Sequence, residues 1–256
     1  MALVQDRCIC LRKVEYSETS QILTLFAREH GLLRVIAKGA HRRTKVGASK
    51  FGGGLDLLDV GDAVFSHAPD RELPPLTEWA LREGYLGLRK NLRAIYLGQY
   101  AAELISNVIE EHDPHPELFD QLVAVLGDLN TPRQEQGFLA FELALLREAG
   151  YLPHLNSCVV CGAKFNDRDR VYVSPGRGGA VCQNCEGVTP DRNALDPRLL
   201  RLAQTLPLME RLPQLTRHQT DPLNRMLAQH IEQTLSKRLR MPKYVLNGRG
   251  MGKKFE

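Results

Sequence analysis

Long apolar runs are missing from this chain of 256 residues. The most apolar window, 138–146, contains Glu142 and is far shorter than the roughly 20 apolar residues that a membrane-spanning helix needs. The first residues show neither a basic segment followed by an apolar one nor a small-residue cleavage site, so they do not have the form of a secretory signal. The sequence therefore predicts a cytoplasmic protein.

Signatures of catalysis are also missing. The sequence contains no HExxH and no GxSxG motif, its eight histidines are scattered, and its carboxylates show no repeated spacing that would pair them. The stretch 248–254 is glycine- and lysine-rich, but it lacks the Walker A spacing and the Ser/Thr that follows the lysine. We therefore expect a protein that is not an enzyme.

Charge is distributed unevenly along the chain, although the net charge is only +4. Residues 1–50 carry ten basic and four acidic side chains, residues 51–150 carry seven and 17, and residues 151–256 carry 17 and nine. Basic ends around an acidic middle favour a polyanionic partner at one or both ends. The acidic middle would repel such a partner, so we expect it to face away from nucleic acid or to offer a protein docking surface.

The amino-terminal part has the pattern of a small β domain. Short β-prone runs are separated by turn residues or glycine-rich stretches, and there is no room for crossover helices. The runs are 7–14, 21–26, 32–38, 55–60 and 63–66. They predict an α+β chain in which residues 1–81 form a five-stranded OB-type β-barrel, the oligonucleotide-binding fold.

Residues 82–256 have a helical pattern, interrupted by an irregular cysteine-containing insert at 155–190. Apolar residues recur at helical spacing over 92–109, and a short helix follows over 117–126. Thr131 and Gln134 predict a capped helix that ends before Gly150. Two later helices are predicted to begin at the Asp-Pro pairs 196–197 and 221–222, the second running to residue 241.

Two CxxC pairs are the strongest chemical signal. Cys158 and Cys161 are separated by 20 residues from Cys182 and Cys185, which is within the spacing of a four-cysteine zinc ribbon. Four sulfur ligands leave no open coordination position, so one structural zinc ion is predicted, with an iron–sulfur cluster as the alternative. Cys8 and Cys10 would point to one face of a strand as small buried side chains.

A basic cluster lies in the connection between the third and fourth β runs. In an OB fold, loops and strand faces guide the phosphate backbone of a nucleic acid while aromatic side chains stack on bases. The candidate contacts are Lys38, Arg42, Arg43, Lys45 and Lys50, with Arg34 as a weaker candidate on the side of the barrel. The stretch 237–254 has seven basic residues and no acid, and it is either a second contact region or a solvated tail.

Several segments together resemble the RecO family of bacterial DNA repair proteins. The residues that carry the resemblance are 9–11, 16–20 (Tyr-Ser-Glu-Thr-Ser), 23–26, 31–35, 37–40 and 150–155, the last followed by the first CxxC. Ser17 departs from the pattern, which is expected to have glycine there. The resemblance covers the chain from end to end in the order OB fold, helical domain and embedded zinc ribbon.

The resemblance implies a non-enzymatic mediator of DNA repair and recombination that is cytoplasmic and associated with the nucleoid. Such a protein binds single-stranded and double-stranded DNA and anneals complementary strands. With RecR it helps RecA to replace single-strand binding protein (SSB) on DNA. The alternative is a zinc-ribbon adaptor in transcription or ribosome assembly, whose basic surface binds RNA or a protein. A metal-dependent nuclease would need clustered carboxylates, which the sequence does not show.

Overall fold

Alternating apolar and polar residues give the amino-terminal part its strands. The computed structural model describes residues 2–39, 51–52, 55–67, 73–166 and 169–246. Its strands here are β1 (Ala2–Glu15), β2 (Ser20–Ala27), β3 (Gly31–Lys38), the two-residue β4 (Phe51–Gly52), β5 (Val60–His67) and β6 (Pro75–Glu83). The first compact unit spans residues 1–130, and its described residues form these six strands and two α-helices; the second unit spans 131–256.

The pairing of the five long strands closes on itself. β1 pairs antiparallel with β2 and β5, β2 with β3, and β5 with β6, and parallel pairing of Ile36 and Ala37 with Pro75 and Leu76 joins β3 to β6. This order is that of an OB fold. The predicted fold class is confirmed: an OB-like sheet is followed by a helical region that contains four clustered cysteines.

The inner face of this closed sheet forms an apolar core. Cys8 and Cys10 are fully buried in it, as predicted, beside Leu23, Leu25 and Trp79. Burial raises the pKa of the Cys10 thiol to about 12, so this cysteine is a neutral apolar side chain at physiological pH. The two thiols therefore stabilise the sheet by packing.

One predicted strand of the amino-terminal part is wrong, and two observed strands, β4 and β6, were not predicted. Residues 55–59 form a turn, in which Leu58 has a φ of 68° and the Asp56 N–H donates to Asp59 Oδ2 at 2.8 Å. β6 was not predicted because only Leu76 and Trp79 of its side chains are buried, and register shifts interrupt its pairing with β5.

Two helices complete the first unit. A 3-10 turn at Leu86–Lys90 is followed by α1 (Leu92–Val108). The residue before α1, Asn91, caps it, because its side chain accepts from the backbone N–H groups of Arg93 and Ala94. α2 (Pro116–Asp128) places Phe119 against Phe26 of β2, with ring centroids 5.8 Å apart. Helical residues therefore cover one end of the outer face of the sheet.

The second unit is built on α3 (Gln134–Glu148) and α5 (Arg217–Thr234), with α4 (Pro197–Thr205) and the short α6 (Pro242–Val245). Ten of the fifteen residues of α3 are buried, and Gly150 follows the end of this helix with a φ of 75°, as the sequence predicts. None of the helices among the described residues is long and apolar enough to cross a membrane.

The cysteine-containing insert and the residues just after it form a small three-stranded sheet in the order β8-β7-β9. Its strands are β7 (Val171–Ser174), β8 (Gly179–Cys182) and β9 (Asn193–Leu195). β7 and β8 pair antiparallel around the turn at 175–178, and β9, which was not predicted, pairs antiparallel with β7. The proposed domain boundary between residues 81 and 82 stays a prediction.

Candidate functional site

The four cysteines of the two CxxC pairs converge in the second unit. The sulfur atoms of Cys158, Cys161, Cys182 and Cys185 all lie within 4.8 Å of one another, and the Sγ atoms of Cys161 and Cys182 are 3.6 Å apart. Tetrahedral zinc with Zn–S bonds of about 2.3 Å requires sulfur separations of about 3.8 Å. The cluster therefore has the dimensions of a four-thiolate metal site.

Local backbone geometry explains how the first pair reaches this arrangement. The Gly162 N–H donates to the Cys158 carbonyl at 2.8 Å, and Gly162 has a φ of 77°, which favours glycine. The Val159 N–H donates to the Ala180 carbonyl at 2.9 Å, which ties this turn to β8. Since β8 ends at Cys182 and a 3-10 turn at Gln183–Val188 carries Cys185, the second pair lies beside the first.

Among the four cysteines, the buried Cys158 is the one whose surroundings favour the negatively charged thiolate. Burial alone would disfavour a thiolate at Cys158, but backbone N–H groups, led by that of Cys182 at 3.4 Å, lower its pKa to about 6. For Cys185, burial and the neighbouring sulfurs raise the pKa to about 12. Four sulfurs this close cannot all ionise without a cation, which is the situation that a bound metal resolves.

Polar contacts outside the sulfurs hold the insert together. Tyr172 donates its hydroxyl to Glu186 Oε2 at 2.8 Å, and Arg192 donates to Glu186 Oε1 at 2.9 Å. Asp191 accepts from the Ser174 hydroxyl and from the Gly176 N–H, each at 2.7 Å, so it braces the β7–β8 turn. These contacts and the small apolar cluster around Val181 support the ligand geometry.

The predicted nucleic-acid contacts are only partly described. Arg34 and Lys38 are exposed on β3, whereas Arg42, Arg43, Lys45 and Lys50 lie outside the described residues. Leu33 and Val35, the neighbours of Arg34, are in the core, so Arg34 projects from the outer face of the sheet.

Strand register places two further residues beside Arg34. Thr24 of β2 pairs with Arg12 of β1 on one side and with Arg34 of β3 on the other. Two arginines therefore flank one threonine across three strands of the outer face. Arg12 was not among the predicted contacts, because its place beside Arg34 follows from the register and not from the linear sequence.

Two more rows continue this face toward the end of β3. Val14, Ile22 and Ile36 form the next row, and Ser20 then pairs with Lys38. Tyr16 donates its backbone N–H to the Ser20 carbonyl at 3.0 Å and is 64% exposed. We call the surface of Arg12, Val14, Tyr16, Ile22, Thr24, Arg34, Ile36 and Lys38 the cationic sheet face.

The fold and the site define a class of protein in which an OB-like closed sheet is followed by a helical region with an insert of four clustered cysteines. The chain belongs to the recombination protein O family, RecO, because the amino-terminal family model matches residues 1–85 and the carboxy-terminal model matches residues 89–242. The resemblance found in the sequence is therefore confirmed.

Relatives named DNA repair protein RecO support this assignment. The protein of Anaeromyxobacter sp. (strain Fw109-5) is 34% identical over 178 residues, which cover 69% of this chain and 68% of the relative. That of Rhodopirellula baltica is 37% identical over 179 residues, covering 69% and 65%. That of Caldanaerobacter subterraneus is 31% identical over 203 residues, covering 78% of each.

Proposed function

We propose that this chain is a non-enzymatic mediator of DNA repair that binds single-stranded DNA and anneals complementary strands. With RecR, it helps RecA to replace SSB. Double-stranded DNA is the product of the annealing step, and it is bound through its phosphates. Membership of the RecO family supports a role in DNA repair.

The cationic sheet face is the observation that carries the proposal. Arginines at one end and Lys38 at the other flank an apolar row, with the exposed ring of Tyr16 beside it. Non-specific binding of single strands uses this combination, because cations hold phosphates while apolar and aromatic surfaces take the bases. Strands 2 and 3 of OB folds offer the same face to oligonucleotides.

The cysteine cluster takes one structural zinc ion in this proposal. The four sulfurs fit the separations of a tetrahedral site, and they would complete its coordination. The ion would brace the insert and take no part in chemistry. Four thiolates also suit iron, so metal analysis distinguishes zinc from an iron–sulfur cluster.

Annealing of SSB-coated complementary oligonucleotides tests the function. The wild-type chain should accelerate duplex formation, whereas the double variant R12Q/R34Q should lose most of this effect. R82Q/R89Q is the matched control, because it removes two arginines of the same unit that pair with Asp62 and Asp56. A wild-type chain without activity in this assay would favour the zinc-ribbon adaptor.

Binding to RecR is tested by size-exclusion chromatography at micromolar concentrations. The two proteins should co-elute as a complex at physiological salt. Separate elution would remove RecR from the proposal and leave strand annealing as a separate activity.

A further inference from the structure

The second unit has a cavity of about 770 Å³ where residues 238–246 fold back against α5. Arg225, Ala228 and Glu232 lie one turn apart along one face of α5 and form one wall. The Arg225 guanidinium donates to the Leu246 carbonyl at 3.2 Å, and Glu232 Oε1 accepts from the Leu239 N–H at 2.8 Å. The cavity is therefore built by contacts within one unit.

Positive charge dominates the lining. Four cationic side chains and one carboxylate contribute to it, and that carboxylate already accepts from a backbone N–H group. The cationic residues are Arg225, Arg238, Arg240 and Lys243. Arginine binds phosphate through two parallel hydrogen bonds, so this set is suited to a ligand with successive anionic groups.

An aromatic ring lies just outside this lining, beside Lys243. Tyr244 is 49% exposed, and Lys243 Nζ lies 4.8 Å from the centroid of its ring. Leu239, Pro242 and Leu246 add apolar surface to the lining. Cations, an exposed ring and apolar surface together are what a single nucleic acid strand needs, because its phosphates and bases must both be held.

We propose that this cavity is a second binding site for a single DNA strand, separate from the cationic sheet face. The inference rests on the proposed annealing function and deepens it, because a protein with two strand sites can hold two complementary strands at once. Arg225, Arg238 and Lys243 hold phosphates, and Tyr244 stacks on a base. The site takes strands of any sequence, because backbone charge and stacking carry little sequence information.

Photo-crosslinking locates the strand. An oligo-dT strand that carries 5-iododeoxyuridine is irradiated with the full chain, and the crosslinked residue is found by peptide mass spectrometry. The crosslink should form at Tyr244 in the wild type and in R12Q/R34Q, and it should disappear in R238Q/K243Q. The control R198Q/R211Q removes two exposed arginines that do not line the cavity, so it should keep the crosslink.

Annealing and salt dependence give the second readout. R238Q/K243Q should keep the wild-type circular dichroism and melting temperature. In this variant, the slope of log affinity for oligo-dT against log salt concentration should become shallower by about 1.4, because two phosphate contacts are lost and each contributes about 0.7 to the slope. Its annealing rate should fall below that of R198Q/R211Q.

The outcomes separate this inference from the proposed function. If R238Q/K243Q anneals like its control and no crosslink forms at Tyr244, while R12Q/R34Q loses annealing, the second site is wrong and the sheet face stands. If R12Q/R34Q anneals normally and the crosslink at Tyr244 persists, the cavity stands and the sheet face fails.

If a glutamate-rich peptide binds the wild type but not R238Q/K243Q, and oligo-dT binds both alike, the cavity is a site for an acidic protein segment and the inference is overturned.

Discussion

Cys161 is the exposed member of the four clustered cysteines, and its sulfur nonetheless lies 3.6 Å from that of Cys182. Replacing it by serine should reduce bound zinc from one ion per chain to well below one, because three thiolates do not complete the site. The insert should unfold, since its apolar cluster is small. Elemental analysis and circular dichroism measure both effects.

Cys8→Ala is the matched control for this change. It also removes one thiol, but from the core of the sheet, so the zinc content should remain one per chain. Iron in the wild-type protein, or undiminished zinc in Cys161→Ser, would contradict the proposed site.

His230 gives the second unit a pH-dependent stability. Burial lowers its pKa below the usual 6.5, and its Nε2 lies 2.9 Å from the Tyr151 carbonyl. The unfolded chain takes up a proton as pH falls through about 6.5, whereas the folded chain resists it until lower pH. The stabilising contribution is therefore present above about pH 6.5 and is lost as pH falls toward the pKa of the folded state.

Urea denaturation at pH 7 and pH 5 measures this contribution. His230→Gln should show a smaller loss of stability between the two pH values than the wild type, because glutamine does not titrate. His218→Gln, at an exposed position on the same helix, should behave like the wild type. An unchanged pH dependence in His230→Gln would contradict the role of burial at this histidine.

At the scale of single residues, the sequence could predict the site residues whose positions follow from their spacing along the chain. The four cysteines could be found because two CxxC pairs must present their thiols in tight turns. Arg12 and Tyr16 could not be found in the same way, because the bulge between Cys10 and Arg12 sets the register of β1 against β2. A residue shift in that register would turn Arg12 to the other face.

At the scale of elements, helix starts show what local signals can predict. The cap at Asp196 is confirmed, since its side chain accepts from the Arg198 N–H at 2.8 Å. The cap at Asp221 is wrong: α5 begins at Arg217, where Gln219 Oε1 accepts from the Thr216 N–H at 3.0 Å. The sequence offers two helix-start signals close together, one at Thr216 and one at Asp221. The earlier signal determines where α5 begins, so α5, which packs against α3, is longer than predicted at this end.

The turn between β2 and β3 requires glycine at position 31. Gly31 has a φ of 69°, and an added Cβ would lie 2.2 Å from the carbonyl oxygen of Asp113. The left-handed conformation alone costs alanine about 1–2 kcal/mol. Because the contact with the Asp113 carbonyl adds to this cost, Gly31→Ala should lower the free energy of unfolding of the first unit by more than that amount. Chemical denaturation measures the change.

Gly127→Ala is the opposite case in the same unit. Gly127 lies in α2, and nothing lies within 4 Å of its added Cβ, so alanine should stabilise the unit by about 0.5–1 kcal/mol. Equal stabilities for the two variants would contradict the account of the turn.

At the scale of the whole molecule, the division into units 1–130 and 131–256 predicts separate responses to metal removal. A zinc chelator should lower the hydrogen-exchange protection of β7 and β8 and leave that of β1, β2 and β3 unchanged. The two units have separate cores, so the sheet does not need the metal to fold. Loss of protection throughout the sheet would contradict this independence.

The salt dependence of single-strand binding tests the central claim, that the cationic sheet face holds DNA. Binding of oligo-dT is measured by fluorescence anisotropy over a range of salt concentrations for the wild type, R12Q/R34Q and the control R82Q/R89Q. Removing two phosphate contacts should make the slope of log affinity against log salt shallower by about 1.4, and the control should keep the wild-type slope. A slope in R12Q/R34Q equal to that of the wild type would contradict the claim.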